Sequence, residues 1–220
     1  MTKSRIAETD HGIEGEFNVN KYDQMQRNFR DKGIMQTDNI IRSGLNYGSV
    51  LEIGPGPGYL GLEWLKKTRG TLLIGVEISK DMIILANKNA ADYDLCDRVS
   101  YVETNARRLP FPDKSFDGVF THASLHEWSE PIIIFNEIHR VLKPGGYFYI
   151  SDLRRDISWF IKQLMNVMVK PREIRPGLHT SLRAAYTVKE ISEMLTRTPI
   201  KIAQVTANPF GLQIKGRKQE

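Results

Sequence analysis

Between Ser49 and Ser151 short apolar runs alternate with amphipathic stretches, and no other feature of this 220-residue chain constrains its fold as tightly. Ser49–Ile53, Leu72–Val76, Arg98–Glu103, Phe116–Phe120 and Tyr147–Ser151 read as strands, while Gly58–Lys67, Lys80–Ala91 and Ile132–Leu142 carry apolar residues at helical spacing. Parallel neighbours need a long return connection, so strands separated by helices predict an α/β, doubly wound, mostly parallel sheet with helices on both faces. Ligands of such sheets sit outside the carboxyl ends of the strands. The residues just after each strand are therefore where chemistry is expected.

After Ser151 the rhythm breaks. Ile157–Val169 reads as a helix carrying Trp159, Phe160, Leu164, Met165 and Met168, stopped by Pro171, and Val188–Thr196 as another, with Thr187 as N-cap and Glu190 at the capping-box position. Lys201–Thr206 and Leu212–Lys215 read as strands joined through Asn208-Pro209-Phe210-Gly211, which predicts a C-terminal antiparallel hairpin and seven strands in all. Val19–Ile41 has a helical period broken at Gly33, a helical cap; the first sixteen residues, with Gly12, Gly15 and few apolar side chains, are expected to be mobile in the free protein. Residues 1–45 are thus a tail and cap on the domain formed by 46–220, without repeats or low-complexity linkers.

Composition narrows the partners. Thirty-one Lys+Arg against 26 Asp+Glu give +5, part of it in Lys215, Arg217 and Lys218, and no continuous basic block with interleaved aromatics marks a nucleic-acid surface. The single cysteine, Cys96, cannot form an internal disulfide or a multi-cysteine metal site, which points to the cytoplasm. Apolar runs such as Ile132–Phe135 are far shorter than a membrane span, and Met1–Asp10 lacks a signal peptide's apolar segment. Neither export nor a membrane partner is expected.

Val50-Leu51-Glu52-Ile53-Gly54-Pro55-Gly56-Pro57-Gly58 is the most informative segment. Glycine at 54, 56 and 58 lets the backbone turn off the strand and approach a ligand at a helix N-terminus. The pyrophosphate dinucleotide version of this loop would need glycine where Tyr59 stands. Glu52, acidic inside an apolar strand, calls for a polar or cationic partner. Glu77, twenty-three residues after Gly54, ends the next strand where a carboxylate can accept from both hydroxyls of a ribose.

In this order the segments resemble the S-adenosyl-L-methionine-dependent methyltransferases with the seven-stranded Rossmann-like fold, over roughly Ser49 to Asp156. Glu52, Gly54, Gly56 and Gly58, with Pro55 between them, match the family's acidic-x-G-x-G-x-G loop, and Glu77 matches the ribose-binding acid. The resemblance implies that Ile78 and Met82 flank the adenine, that Asn105-Ala106 reads its edge, that Tyr22 and Phe29 of the cap close the site, that His122 packs against the cofactor, and that Arg27 or Arg30 meets the cofactor carboxylate. Phe116–Phe120 with Thr121–Trp128 matches the fourth strand and the loop facing the methyl group, and Arg140–Gly146 the approach to the fifth strand. Within the family the blocks are similar to the small-molecule branch that includes ubiquinone/menaquinone-biosynthesis methyltransferases.

Methyl transfer from a sulfonium is an in-line displacement, so the protein mainly supplies alignment and needs a base only for a protonated acceptor. His122, His126, Glu127 and Asp152 are the candidates, with His126 and Asp152 foremost; no metal site is assigned, since the His-Glu-x-x-His order is absent. Arg154 and Arg155 could anchor an anionic acceptor or pair with Asp152 and Asp156. The Trp159–Met168 stripe is expected to be core or to line an acceptor pocket. A small-molecule methyltransferase is the reading; an RNA- or protein-directed enzyme and a S-adenosylmethionine-binding protein without transfer activity are its rivals.

Overall fold

The computed structural model describes residues 4–8, 12–200 and 203–219. Helix α1 (Glu16–Asp31) and the short α2 (Thr37–Arg42) are separated at Gly33, as the broken period implies. There follow β1 (Ser49–Ile53), α3 (Tyr59–Lys67), β2 (Leu72–Glu77), α4 (Lys80–Asp92), β3 (Val99–Glu103), β4 (Phe116–His122), α5 (Pro131–Val141) and β5 (Leu142–Leu153). The chain ends with α6 (Trp159–Met168), α7 (Arg175–Ala184), α8 (Val188–Leu195), β6 (Gln204–Ala207) and β7 (Gly211–Arg217). Lys201 and Ile202, assigned to a strand above, lie outside the described residues.

The seven strands form one sheet in the order β3-β2-β1-β4-β5-β7-β6. β1 to β5 pair in parallel and β7 runs antiparallel between β5 and β6, so the doubly wound sheet with its C-terminal hairpin is observed. Asn208 builds the hairpin turn, its Oδ1 accepting from the Phe210 and Gly211 amides. The order reverses between β1 and β4, and a crevice opens at the carboxyl ends there.

Alternation along β1 divides the core. Leu51 and Ile53 face α5 and α8 with Phe135, Ile138 and Ile191, whereas Val50 faces Ile40, Leu62, Trp64 and Leu65 on the other side. Each such buried side chain contributes about 1.5–3 kcal/mol, and the Trp64 indole N–H donates to the Leu45 carbonyl at 2.7 Å, so its polar end is satisfied. Thr187 and Glu190 form the expected capping box of α8.

Three features depart from expectation. Helix α7 occupies a segment that the sequence pattern leaves unassigned. Residues 4–8 and 12–15 are docked rather than detached: the Ile6 amide donates to the Arg183 carbonyl, the Ser79 hydroxyl to the Ile13 carbonyl, and the Gly15 amide to Asp81. α6 buries none of its residues fully, so most of its apolar stripe is not core. Among the described residues no helix is long and apolar enough to cross a membrane.

Candidate active site

The loop after β1 leaves the strand through Gly54 (φ +66°), Gly56 (φ +53°) and Gly58 (φ +84°). A Cβ on Gly54 would stand 2.7 Å from the Ser124 hydroxyl, and one on Gly58 2.5 Å from the Tyr101 hydroxyl, so both positions require glycine for conformation and for space. The Glu77 carboxylate secures the loop: Oε2 accepts from the Gly56 amide at 3.0 Å, and Oε1 from the amides of Ile78 and Ser79 at 2.9 and 3.1 Å. A carboxylate has about four acceptor positions. Three are filled, and the one left on Oε2 can take a ribose hydroxyl. Burial raises the Glu77 pKa, and the three N–H groups oppose that shift.

A cleft opens beside this loop. Gly54, Gly56, Glu77, Ile78, Met82, Asn105, Ala106 and Tyr22 all border it, eight of the twelve residues expected to hold a cofactor. Asn105 Oδ1 accepts from the Arg107 amide at 2.9 Å, which uses one of its two acceptor positions. Gly58 caps α3 behind the cleft, and Pro55 packs behind it over Gly75. Glu52 also lies behind, its Oε2 buried without a hydrogen-bond partner and directed at Gly61 of α3. Burial and the neighbouring Glu77 push the Glu52 carboxyl up to about 8, so at neutral pH it is mostly the neutral acid. Arg27 pairs with Asp23, and Arg30 pairs with Asp31 and stacks on Tyr59, so neither borders the cleft.

His122 borders a second, larger cavity, not the cleft, with its Nδ1 2.9 Å from the Ser151 hydroxyl; burial lowers its pKa, and Asp152 opposes this. This cavity, of about 820 Å³, lies between α1, the C-terminal part of α6, α7 and residues 6–8. Phe17, Met25, Phe29, Met165 and Val169 give it apolar walls. His126 and Asp152 meet at its edge: the Asp152 carboxylate accepts from the His126 amide at 2.6 Å and lies 2.8 Å from the ring Nδ1. Burial, the largest single influence, would lower the imidazole pKa, but the charge and hydrogen bond of Asp152 together with the charges of Glu127 and Glu8 outweigh it and bring it up to about 9. Asp152 itself is not in the cavity wall; its carboxylate holds the His126 amide and ring. Glu127 borders cleft and cavity alike, and burial pushes its carboxyl up to about 7.

Sequence reasoning missed Glu8. Its carboxylate stands 3.5 Å from His126 Nε2, on the side opposite Asp152. Glu8, His126 and Glu127 bring one ligand atom each within 4.8 Å of one another, an arrangement that also serves a protonated imidazole between two carboxylates, and a metal ion here would have to displace that proton. Arg5 ties this segment down, donating to the carbonyls of Ala184 (2.6 Å) and His126 (2.9 Å) while stacking on the Tyr186 ring. No local pattern signals these partners, which lie more than a hundred residues away. Arg154 pairs with Asp156, as the salt-bridged alternative expects, while Arg155 pairs with Glu190, a partner that alternative did not include.

This sheet order, with the glycine loop after β1 and the carboxylate ending β2, is a Rossmann-like fold similar to that of S-adenosylmethionine-dependent methyltransferases. The residues present fit that cofactor: a glycine cradle that a Cβ would fill, a carboxylate with an acceptor position to spare, and an apolar Ile78–Met82 wall. Residues 51–150 match the family described as "Methyltransferase domain". The chain is similar to the fatty-acid O-methyltransferase of Mycolicibacterium smegmatis, at 36% identity over 48% of this chain and 37% of the relative. It is also similar to the ubiquinone/menaquinone biosynthesis C-methyltransferase of Pectobacterium carotovorum, at 29% identity over 74% of this chain and 63% of the relative. A methyltransferase structure from Methanococcus maripaludis has the same fold, with a TM-score of 0.76 at 24% identity over 100% of this chain and 98% of that one. The chain thus spans less than two thirds of the length of these curated relatives.

Proposed function

We propose that the protein is a cytoplasmic methyltransferase that moves a methyl group from S-adenosylmethionine to a small, largely apolar acceptor held in the 820 Å³ cavity. One observation carries this reading: Tyr22, Ala123 and Glu127 border both the cofactor cleft and the cavity, so ligands in the two would meet there. The cavity's volume lies within the ~300–1,000 Å³ of small-molecule sites, and its enclosure by α1, α7 and residues 6–8 favours a small molecule over an RNA or protein chain. The relatives named for fatty acids and for quinone biosynthesis support an apolar acceptor with one reactive end.

When bound, the cofactor supplies a methyl group activated on a positively charged sulfur. The protein's part is to align the acceptor and keep water out. Glu127, with a carboxyl near pH 7, stands where a protonated acceptor could hand over its proton. His126, held as a cation by Asp152, offers a donor to the acceptor's polar end and balances Glu8 and Glu127.

Calorimetric titration with S-adenosylmethionine and S-adenosylhomocysteine should show binding of both, followed by turnover of labelled donor with an apolar acceptor. No binding of either would end the proposal. Glu127→Gln should keep cofactor affinity and lower turnover about 100-fold with an acceptor that must lose a proton.

A further inference from the structure

Helix α6 carries two unlike faces. Met165, with Val169 just beyond the helix, forms part of the acceptor cavity. On the other side Trp159 is 73% exposed, Phe160 69% and Val167 66%, and Leu164 and Met168 are more than one-third exposed. At about 100° per residue these five span roughly half the helix circumference. Soluble monomers seldom present a contiguous apolar face of this kind without a partner.

The charge around this face identifies the partner. The exposed Lys170 and Arg172 follow directly on this face, with Glu173 paired to Lys21, whereas Lys162 turns to the Arg155 carbonyl and Arg183 borders the acceptor cavity. Arg175, His179 and Arg183 follow at i, i+4 and i+8, one stripe of α7. An aromatic apolar face bordered by Lys and Arg suits the surface of an anionic bilayer, with the rings at the acyl boundary and the cations at the phosphates. A second copy of the chain fits poorly, since a two-fold contact would set this basic border against itself. The shortness of the apolar runs, which argues against a spanning helix, does not bear on a helix lying in the interface, where one apolar face suffices.

We propose that α6 and the segment leading into α7 dock the protein on an anionic lipid surface, leaving only α6 between the bilayer and the acceptor cavity. The docking surface stands on α6 and the segment after it, independent of the enzyme's chemistry; its use in loading an apolar acceptor rests on the methyltransferase reading above. Trp64 and Trp128 are buried, so tryptophan emission that responds to lipid reports Trp159. The full chain would be mixed with vesicles of phosphatidylcholine alone or of phosphatidylcholine and phosphatidylglycerol in equal parts, with and without brominated acyl chains.

Co-sedimentation with the phosphatidylglycerol vesicles, weakened by salt, together with quenching of Trp159 by the brominated chains, is expected. Lys170→Gln and Arg172→Gln should each weaken binding about fivefold. The Trp159→Ser/Phe160→Ser double variant should lose binding at least about tenfold, with its melting temperature and cofactor titration unchanged. Equal binding to both vesicle types, absence of quenching, or a lipid-free dimer abolished by the double variant would overturn the proposal. Vesicle binding is read without cofactor or acceptor, so it fails or succeeds independently of the methyl-transfer assay.

Discussion

Replacing Asp152 by asparagine keeps the side-chain volume and removes the charge beside His126. Both side chains are almost sealed from water, and the carboxylate receives the His126 amide and sits against its ring. The imidazole titrates at about 9 in the fold, against about 6.5 in an unfolded chain. That difference corresponds to at most about 3 kcal/mol of preference for the protonated ring. Because the folded pKa lies above the unfolded one, this stability is fully present below about pH 6.5 and is lost as pH rises through about 9. Asparagine has one acceptor oxygen and no charge, so burial should then dominate and the ring should become neutral. Glu52 and Glu127 titrate near 8 and 7 and also cost stability as pH rises, so both proteins should weaken toward alkaline pH. The prediction concerns the gap between them. Urea unfolding from about pH 6 to about pH 10 should show the wild type ahead by up to about 3 kcal/mol at the acidic end, with the gap narrowing toward the alkaline end. A gap independent of pH, or a His126 resonance in the wild type that titrates below 7, would refute the reasoning.

Gly54→Ala should weaken S-adenosylhomocysteine binding about tenfold, since it places a Cβ against Ser124 in a left-handed backbone that costs about 1–2 kcal/mol; calorimetry decides, and unchanged affinity would show that the loop tolerates a side chain. Glu52→Gln should be nearly neutral near pH 4, where the wild-type acid is protonated folded and unfolded alike, and should gain melting temperature relative to wild type as pH rises toward about 8, because only the unfolded wild-type carboxyl ionises in that window. Arg5→Ala should speed hydrogen exchange at the Ile6 amide, which bonds to Arg183, because the side chain that secures residues 4–8 is gone; equal exchange would mean that the segment is held by other contacts.

The parallel strands were legible because each apolar run ends at a turn signal and each return carries a helical period. The placement of Gly54, Glu77 and Met82 at the cleft was legible because it depends on backbone position, which spacing reveals. Glu52 was not: the strand's alternation directs its side chain behind the loop toward Gly61, and the face on which an isolated acid falls depends on the register of the whole sheet. Helix α7 was hidden by Arg175-Pro176-Gly177, which reads as a break, although proline is well tolerated in a helix's first turn. The outward turn of Trp159 and Phe160 was hidden too, since an apolar helical stripe looks the same whether it covers a core or faces outward. The docking of residues 4–8 through Arg5 and Glu8 depends on carbonyls and an imidazole supplied by distant parts of the chain.

The N-terminal segment has a thermodynamic consequence for the two ligands. Gly12 and Ile13 wall both the cleft and the cavity. A ligand that shifts them on entering one site therefore also reshapes the wall of the other. The free energy of rearranging them is incurred by whichever ligand arrives first, and the second finds the segment already reset. Affinities for donor and acceptor are therefore linked, and linkage makes that coupling equal in both directions. A titration of either ligand at saturating concentrations of the other reads its magnitude directly.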